Sequence, residues 1–299
     1  MKKWLSAFIL VMIVFSLAAC GQSNEKASEG KKETTTKEVF KIGAIPDQNA
    51  ADLDKGMTAV AKYLSEKTGM KVEFVPSVDY AALVTGFQRG EIHMAWFGGL
   101  TSVQARNLVP DAESIVQRPR DAEFHSVFIT QASENISKLE DLKGKSFTFG
   151  SESSTSGHLM PRYFLSEAGI DANTDFDGKP NFSGSHDTTY KLIESGAFKA
   201  GALNEAVWEA AVKEGKVDTK KVKVFYTTPA YYDYNWTINS NVEDVFGKGT
   251  KQKVKDALLS ITGDQKEIAD LFQTDSFVET NNDNYKKIEK VAKELQIIK

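Results

Sequence analysis

The chain has 299 residues, 41 acidic against 37 basic side chains, a net charge of −4 and one cysteine. Without a basic stripe to displace counterions from a phosphate backbone, nucleic acid is excluded as a partner. One cysteine also excludes disulfides and thiolate metal sites within the body, so stability must come from packing. Small anions stay within reach, because a few aimed N–H groups hold an anion whatever the net charge.

In chain order, Lys2 and Lys3 precede an apolar stretch from Leu5 to Leu17 and the small residues Ala18 and Ala19. That is the layout of a secretory signal, and the run is too short to span a bilayer comfortably. Leu17-Ala18-Ala19-Cys20 looks like a bacterial lipobox: cleavage after residue 19 leaves Cys20 as the first mature residue, ready for acylation. The bland alternative is an ordinary signal or anchor helix with an incidental cysteine, but a lone cysteine directly after Leu-Ala-Ala favours the lipid. Residues 20–37 then form a lipidated cysteine and a tether, since Ser, Lys, Glu and Thr dominate there and Ala27 is the one apolar side chain after Cys20. Such a segment cannot bury surface.

The remaining roughly 260 residues suffice for two α/β lobes of ordinary domain size. Val39 to Ile45 reads as a strand ended by Pro46. A helix follows, with Met57, Val60, Ala61 and Leu64 on one face and Gly69 placed to end it. Next come a strand (Lys71 to Val75), a helix (Ala81 to Gln88, closed by Gly90), a strand (Ile92 to Phe97) and a helix through Leu108. The rhythm resumes with strands at Ser126 to Ile129 and Lys145 to Phe149, a helix from about Gly157 to Ala168 with Gly169 past its end, and further pairs to Phe225. Alternation of this kind predicts mostly parallel sheets covered by helices. From Lys251 onward the pattern is helical, with Val254, Leu258 and Leu259 on one face and Tyr285, Ile288, Val291 and Leu295 on another.

The run Gly150-Ser151-Glu152-Ser153-Ser154-Thr155-Ser156-Gly157-His158-Leu159-Met160-Pro161 follows a strand and opens a helix. Its N–H groups and hydroxyls converge where the helix dipole is positive, and Pro161 in the first turn costs no needed donor. A capping hydroxyl explains one such residue. Four in a row at the carboxyl end of a strand point to an anion cradle, where open α/β sheets place ligands.

Ser154-Thr155-Ser156-Gly157 followed by Pro161, Tyr80 within Asp79-Tyr80-Ala81-Ala82-Leu83-Val84, and Ala95-Trp96-Phe97-Gly98-Gly99 resemble the phosphate/phosphite/phosphonate substrate-binding proteins of ABC importers, from about residue 40 to about 238. The resemblance implies an α/β, two-lobed type II periplasmic-binding-protein fold with one ligand in the cleft between lobes. It implies that Ser154, Thr155 and Ser156 hold the oxyanion, with Gly157 in the same turn, and carries Tyr80 and His186 (in Ser183-Gly184-Ser185-His186-Asp187) to the cleft. The wording of Gly98 and Gly99, of Gly201-Ala202-Leu203-Asn204 and of Pro229 to Tyr234 is most similar to the branch named for selenate binding.

From the residues themselves, His186 can offer a ring N–H at a helix start that Asp187 could cap, His93 and His125 read as structural, and His158 stays open between the two roles. A fully ionised selenate or sulfate has only acceptors, whereas a monoprotonated phosphorus oxyanion brings an O–H that wants a carboxylate. Glu152, Glu205 and Asp233 are the candidate acceptors, the first reading better as a solvated residue. Phosphonate binders carry an Ile-Pro-x-Asp-Pro-like segment where this chain has Thr228 to Trp236, which argues against an aminoalkylphosphonate. Of that aromatic cluster, Tyr231 is expected at the cleft, with Asn204 and Glu205 beside it.

The expectation is therefore lobe 1 from residues 38–125 and 235–299, lobe 2 from 126–234, and two crossings between them, near His125 to Thr130 and near Tyr234 to Asn239. The function expected is capture of a small oxyanion and delivery to an ABC permease and its ATPase, by a monomer that uses no cofactor or metal, lipid-anchored on the outer face of a cell membrane, with a Lys-rich composition fitting a Gram-positive source. The rivals are a hydrolase using Ser156 or Ser185 with His186 and Asp187, and a sensor lipoprotein of the same fold. Adjacent Ser-His-Asp residues cannot form a triad among themselves, no Gly-x-Ser-x-Gly elbow appears, and no His-Glu-x-x-His spacing exists. Replacing Cys20 with Ser is expected to abolish labelling by radioactive palmitate and to release the protein from the membrane fraction; a variant still labelled would refute the anchor.

Overall fold

The computed structural model describes residues 38–298. The signal, Cys20 and the tether lie outside the described residues, among which no helix is long and apolar enough to cross a membrane.

Two sheets organise the chain. One has six strands: β1 (Phe40–Ala44), β2 (Val72–Phe74), β3 (Met94–Phe97), β4 (Glu113–Gln117), β10 (Asn235–Ile238) and β11 (Val278–Glu279), in the order β11-β4-β10-β3-β1-β2. The other has five: β5 (Ser126–Gln131), β6 (Phe147–Phe149), β7 (Asn181–Phe182), β8 (Ala200–Asn204) and β9 (Val222–Thr227), in the order β7-β6-β8-β5-β9. Helices α1 (Ala50–Thr68), α2 (Tyr80–Gln88), α3 (Gly99–Leu108), α7 (Val242–Phe246), α8 (Thr250–Leu259), α9 (Lys266–Phe272) and α10 (Lys286–Glu294) accompany the first sheet. The second carries α4 (Met160–Glu167), α5 (His186–Glu194) and α6 (Glu205–Lys213).

The expectation of mostly parallel sheets needs correction. β1 runs parallel to β2 and β3, and β6 to β7 and β8. β10 and β5, each an interior strand of its sheet, run antiparallel to both neighbours. The reason is topological: strands reached through a helix return in the same direction, but β5 and β10 begin where the chain has just crossed from the other sheet, so they lead away from the cleft. The C-terminal region is also less uniformly helical than its pattern suggests, since β11 pairs antiparallel with β4; two residues are too few to show a period.

Local chemistry sets the boundaries. Asn49 caps α1 by accepting from the N–H groups of Ala51 and Asp52, and Gly69 ends it at φ 69°. In β5 the side chains alternate: Phe128 packs with Phe147, Phe149 and Leu165 on one face, while Val127 and Ile129 pack with Ile193, Leu203 and Trp208 on the other. The first sheet buries Phe40, Phe87, Phe97, Trp96 and Trp236 in one continuous core.

The two crossings are bonded to one another. Phe124 and Tyr231 exchange both backbone hydrogen bonds, at 2.8 and 3.0 Å, and the Asp233 N–H donates to the Asp121 carbonyl at 3.0 Å. Beside them Arg118 is buried, its guanidinium donating to both oxygens of Asp121 at 2.7 and 2.6 Å and to the Phe272 carbonyl at 3.1 Å. It lies 5.4, 5.7 and 5.0 Å from the ring centroids of Trp96, Phe124 and Tyr234. Arg118→Met would leave Asp121 as a buried, unpaired charge, so we expect urea unfolding to show a loss of about 3–5 kcal/mol; a loss below about 1 kcal/mol would show the pair to be dispensable.

Candidate ligand-binding cleft

The Ser-Thr-Ser turn opens with a wide helical turn, Thr155–Leu159, that passes into α4. Turns of this i→i+5 kind are uncommon and concentrate at functional sites. Ser154 caps it, its hydroxyl accepting the Gly157 N–H at 2.9 Å. Gly157 packs against Gly150, whose N–H donates to the Gly157 carbonyl at 2.8 Å. A Cβ on Gly157 would come within 2.9 Å of the Ser154 hydroxyl, 3.0 Å of the His186 ring and 3.1 Å of Gly150 Cα, so no side chain fits. The Ser156 carbonyl accepts from the Ser126 hydroxyl at 2.8 Å, and that oxygen lies 2.6 Å from the Tyr231 hydroxyl. Tyr231 thus braces the turn through Ser126.

The other sheet supplies the facing wall. Gly98 caps α3, and the next two N–H groups are claimed by side chains: Gly99 donates to Asp233 Oδ1 at 2.9 Å and Leu100 to Thr155 Oγ1 at 2.9 Å. The second bond joins the sheets across the cleft. The His186 N–H donates to the Asp47 carbonyl at 3.0 Å and makes a second link. His186 Nδ1 accepts the Asn204 N–H at 3.3 Å, which leaves the proton on Nε2, 3.3 Å from the Tyr234 hydroxyl; the Asn204 amide donates to that hydroxyl at 2.8 Å. Burial pushes His186 down to about 3, so the ring is neutral.

Four buried polar atoms here lack a well-formed hydrogen bond, Tyr80 Oη, Ser156 Oγ, Asp47 Oδ1 and Asp233 Oδ2, with Ser154 beside Tyr80, Tyr234 beside Asp47, and Thr155 and Ser156 beside Asp233. Unpartnered buried polar atoms are rare and costly, and four in one place mark a site made for a ligand. Asp47 is 4% exposed and Asp233 0%. Burial lifts Asp47 to about 6, tempered by Tyr234 and Arg118, and Asp233 to about 7, tempered by the Gly99 N–H. Burial also raises Tyr80, Tyr231 and Tyr234 well above the usual tyrosine range, so their hydroxyls stay protonated.

Of the residues singled out in the sequence, Ser154, Thr155, Ser156, Gly157, Tyr80, His186, Gly98, Gly99, Tyr231 and Asp233 come together here. Asn204 caps α6 through Val207 as well as bonding to Tyr234. Glu205, half-buried at the start of α6, and exposed Glu152 are not among the unpartnered groups. Asp187 does not cap α5: the cap position is Ser185, whose hydroxyl donates to Asp187 Oδ1 at 2.6 Å, because the helix begins at His186, two residues earlier than its pattern suggests. His158 is structural, held between the Glu152 carbonyl (2.7 Å) and the Arg162 guanidinium (2.8 Å). His93 and His125 also bond to backbone groups, Lys41 N–H and the Thr228 carbonyl. Asp47 and Tyr234 were missed. The signal for Asp47 was available: Ile45-Pro46-Asp47 stands at the carboxyl end of the first strand, the same topological position as the cradle.

Residues 42–285 match the family described as ABC transporter, phosphonate, periplasmic substrate-binding protein. The chain belongs to that family. Within it, the chain is 42% identical over 270 residues to the probable ABC transporter phosphite binding protein PhnD1 of Prochlorococcus marinus strain MIT 9301, spanning 87% of this chain and 91% of that protein. The phosphate-import protein PhnD of Mycolicibacterium smegmatis is 31% identical over 223 residues, 70% of this chain and 68% of that one. The solved structure of Prochlorococcus marinus PhnD1 in complex with methylphosphonate has a TM-score of 0.83 at 41% identity, covering 87% of this chain and 99% of that chain. The two-lobed type II periplasmic-binding-protein fold inferred from the motifs is thereby borne out.

The buried ionisable groups give this substrate-binding protein a pH signature. Asp47 and Asp233, lifted to about 6 and about 7 from an ordinary 3.8, contribute stability present below about pH 4 and lost as pH rises through those values. His186 and His158, lowered to about 3 and about 4 from 6.5, contribute stability present above about pH 6.5 and lost as pH falls through 4 and 3. Between pH 4.5 and 6 the two pairs oppose. The Asp47→Asn/Asp233→Asn variant removes one side of the balance, so its stability is expected to rise with pH there by up to about 2.7 kcal/mol per unit relative to the parent. Urea unfolding at both ends of that window checks this; parallel profiles would contradict it.

Proposed function

We propose that the protein is the extracytoplasmic substrate-binding lipoprotein of an ABC importer and captures a small phosphorus oxyanion of the phosphite, methylphosphonate or phosphate kind. The observation that carries this is the set of four buried polar atoms without well-formed hydrogen bonds, two hydroxyls and two carboxyl oxygens, gathered around a helix-opening turn. Hydroxyls of Tyr80 and Ser156 suit the ionised oxygens, with the positive end of α4 behind them, and Asp233 suits a P–O–H. Ser154, Thr155, Gly157, His186, Gly98, Gly99, Tyr231, Asn204 and Glu205 complete the site as binding or supporting groups. The relatives' names, which mention phosphite, phosphate and phosphonate, fit the same ligand class.

Lobe 1, residues 38–125 and 235–299, and lobe 2, residues 126–234, close over the ligand, and the closed monomer docks on a permease served by its ATPase. The lipid on Cys20 keeps it at the outer face of the membrane of a cell without an outer membrane. No catalytic step is assigned; His186 bonds to the Asn204 N–H and lies by the Tyr234 hydroxyl.

A calorimetric panel of phosphate, phosphite, methylphosphonate, 2-aminoethylphosphonate, sulfate and selenate near neutral pH tests the ligand class, with heat expected from phosphorus oxyanions. Replacing Thr155 and Ser156 together with Ala should weaken that binding by about 100-fold or more, two lost hydrogen bonds to a charged group. Unchanged affinity would remove the turn from the site.

A further inference from the structure

Asp47 belongs to the loop between β1 and α1 and faces inward. Its carbonyl accepts the first N–H of α5 across the cleft, and its side chain, 4% exposed, leaves Oδ1 without a partner. The charged and titratable groups around it are Tyr80 of α2, Tyr234 of the second crossing, Arg118 before the first, and His186 and Asp187 of α5; Asp233 stands on the other side of Tyr80 and Tyr234, which feel both carboxyls. Arg118 is already spent on Asp121, and His186 is neutral. The pocket thus presents two carboxyl oxygens, Asp47 Oδ1 and Asp233 Oδ2, and among the described residues the cation nearest them, Arg118, is bonded to Asp121 and acts on Asp47 only through space.

Ionised carboxylates beside an oxyanion in a buried pocket repel the ligand. Each carboxyl oxygen left without a well-formed bond therefore suits a proton between itself and an oxygen of the ligand. A monoprotonated phosphorus oxyanion brings one, and the carboxyl pair must retain the other. Sulfate and selenate bring none.

We infer that Asp47 is a specificity-determining residue of the cleft, one that makes oxyanion capture depend on two protons shared between ligand and carboxyl pair, admits monoprotonated phosphorus acids and refuses sulfate and selenate. This rests on the phosphorus-oxyanion assignment above. It adds the residue that sets the proton requirement and the direction of the pH dependence: protons are taken up on binding, so affinity falls as pH rises. The raised proton affinity of both carboxyls, about 6 for Asp47 and about 7 for Asp233, is consistent with a pair that retains a proton near neutrality.

The test is calorimetry with methylphosphonate, phosphite, sulfate and selenate at pH 5.5, 7 and 8.5, on the parent protein and Asp47→Asn. For the parent, phosphorus ligands should bind at pH 7 at least about 100-fold more tightly than sulfate, and weaken toward pH 8.5. In Asp47→Asn, whose amide is neutral and can donate, the ratio over sulfate should fall at least about tenfold and the pH dependence should flatten. Should the variant fail to fold, the parent alone decides: titrations in buffers of different ionisation enthalpy at pH 8 should show uptake of about one to two protons per ligand bound. An unchanged ratio and slope in a folded variant, zero proton uptake, or parent binding of sulfate as tight as that of methylphosphonate would overturn the role of Asp47 while leaving a phosphorus-binding protein in place. A parent that binds no phosphorus oxyanion overturns the functional assignment itself, and this inference with it.

Discussion

The first two free N–H groups of α3 hold the cleft in its observed shape: Gly99 is taken by Asp233 and Leu100 by Thr155. A helix start leaves such donors without intrahelical partners, and burying them unpaired would cost about 1–3 kcal/mol each. Satisfying them from the second crossing and from the opposite lobe ties the position of the Ser-Thr-Ser turn to the six-stranded sheet. Gly98 makes the approach feasible, because a Cβ there would stand 3.0 Å from the Thr155 hydroxyl and 3.3 Å from Asp233. Exposed ion pairs also bridge the lobes, Lys216 with Asp52 at 3.2 Å and Arg120 with Glu209 at 2.8 Å. Such pairs contribute about 0–1 kcal/mol, so the buried bonds dominate the fit between lobes.

Much of this was legible because it depends on short-range grammar. The alternation of strand and helix, the glycine-closed helices and the hydroxyl run after a strand each encode a local decision, and they appear where the sequence places them except for β4, which lies in the stretch between Leu108 and Ser126 that shows no strand pattern. What escaped notice depends on the return path of the chain. The antiparallel insertion of β5 and β10 follows from where the crossings enter the sheets, which no window of residues contains. Asp47 escaped for a related reason: a single aspartate after a proline looks like a turn residue until the fold sets it against Tyr80, Tyr234 and Asp233. Tyr231 and Tyr234 could not be told apart by type, and their roles separate only through partners, Ser126 for one and His186 with Asn204 for the other.

An anion site without a free cation obtains its attraction from dipoles and protons. Hydroxyls and helix ends are fixed in place and need no counter-charge of their own. Neutral His186 adds an oriented N–H without adding repulsion toward Arg118 or a desolvation cost for a buried imidazolium. Arg118 meanwhile has its charge spent on Asp121 and its planar faces set among aromatic rings, which makes it a beam of the wall.

The paired crossings also limit how the halves of the molecule can move. Had each segment spanned the gap alone, either half could swivel about it as on a swing link. Because Phe124 and Tyr231 are stitched side by side, the connection behaves as a ribbon: compliant to folding across its flat face, stiff to shear and torsion. On the proposed closure, relative motion would reduce to opening and shutting like a book along one spine, and each shutting would bring Thr155 back to the same N–H of Leu100 without a search over orientations.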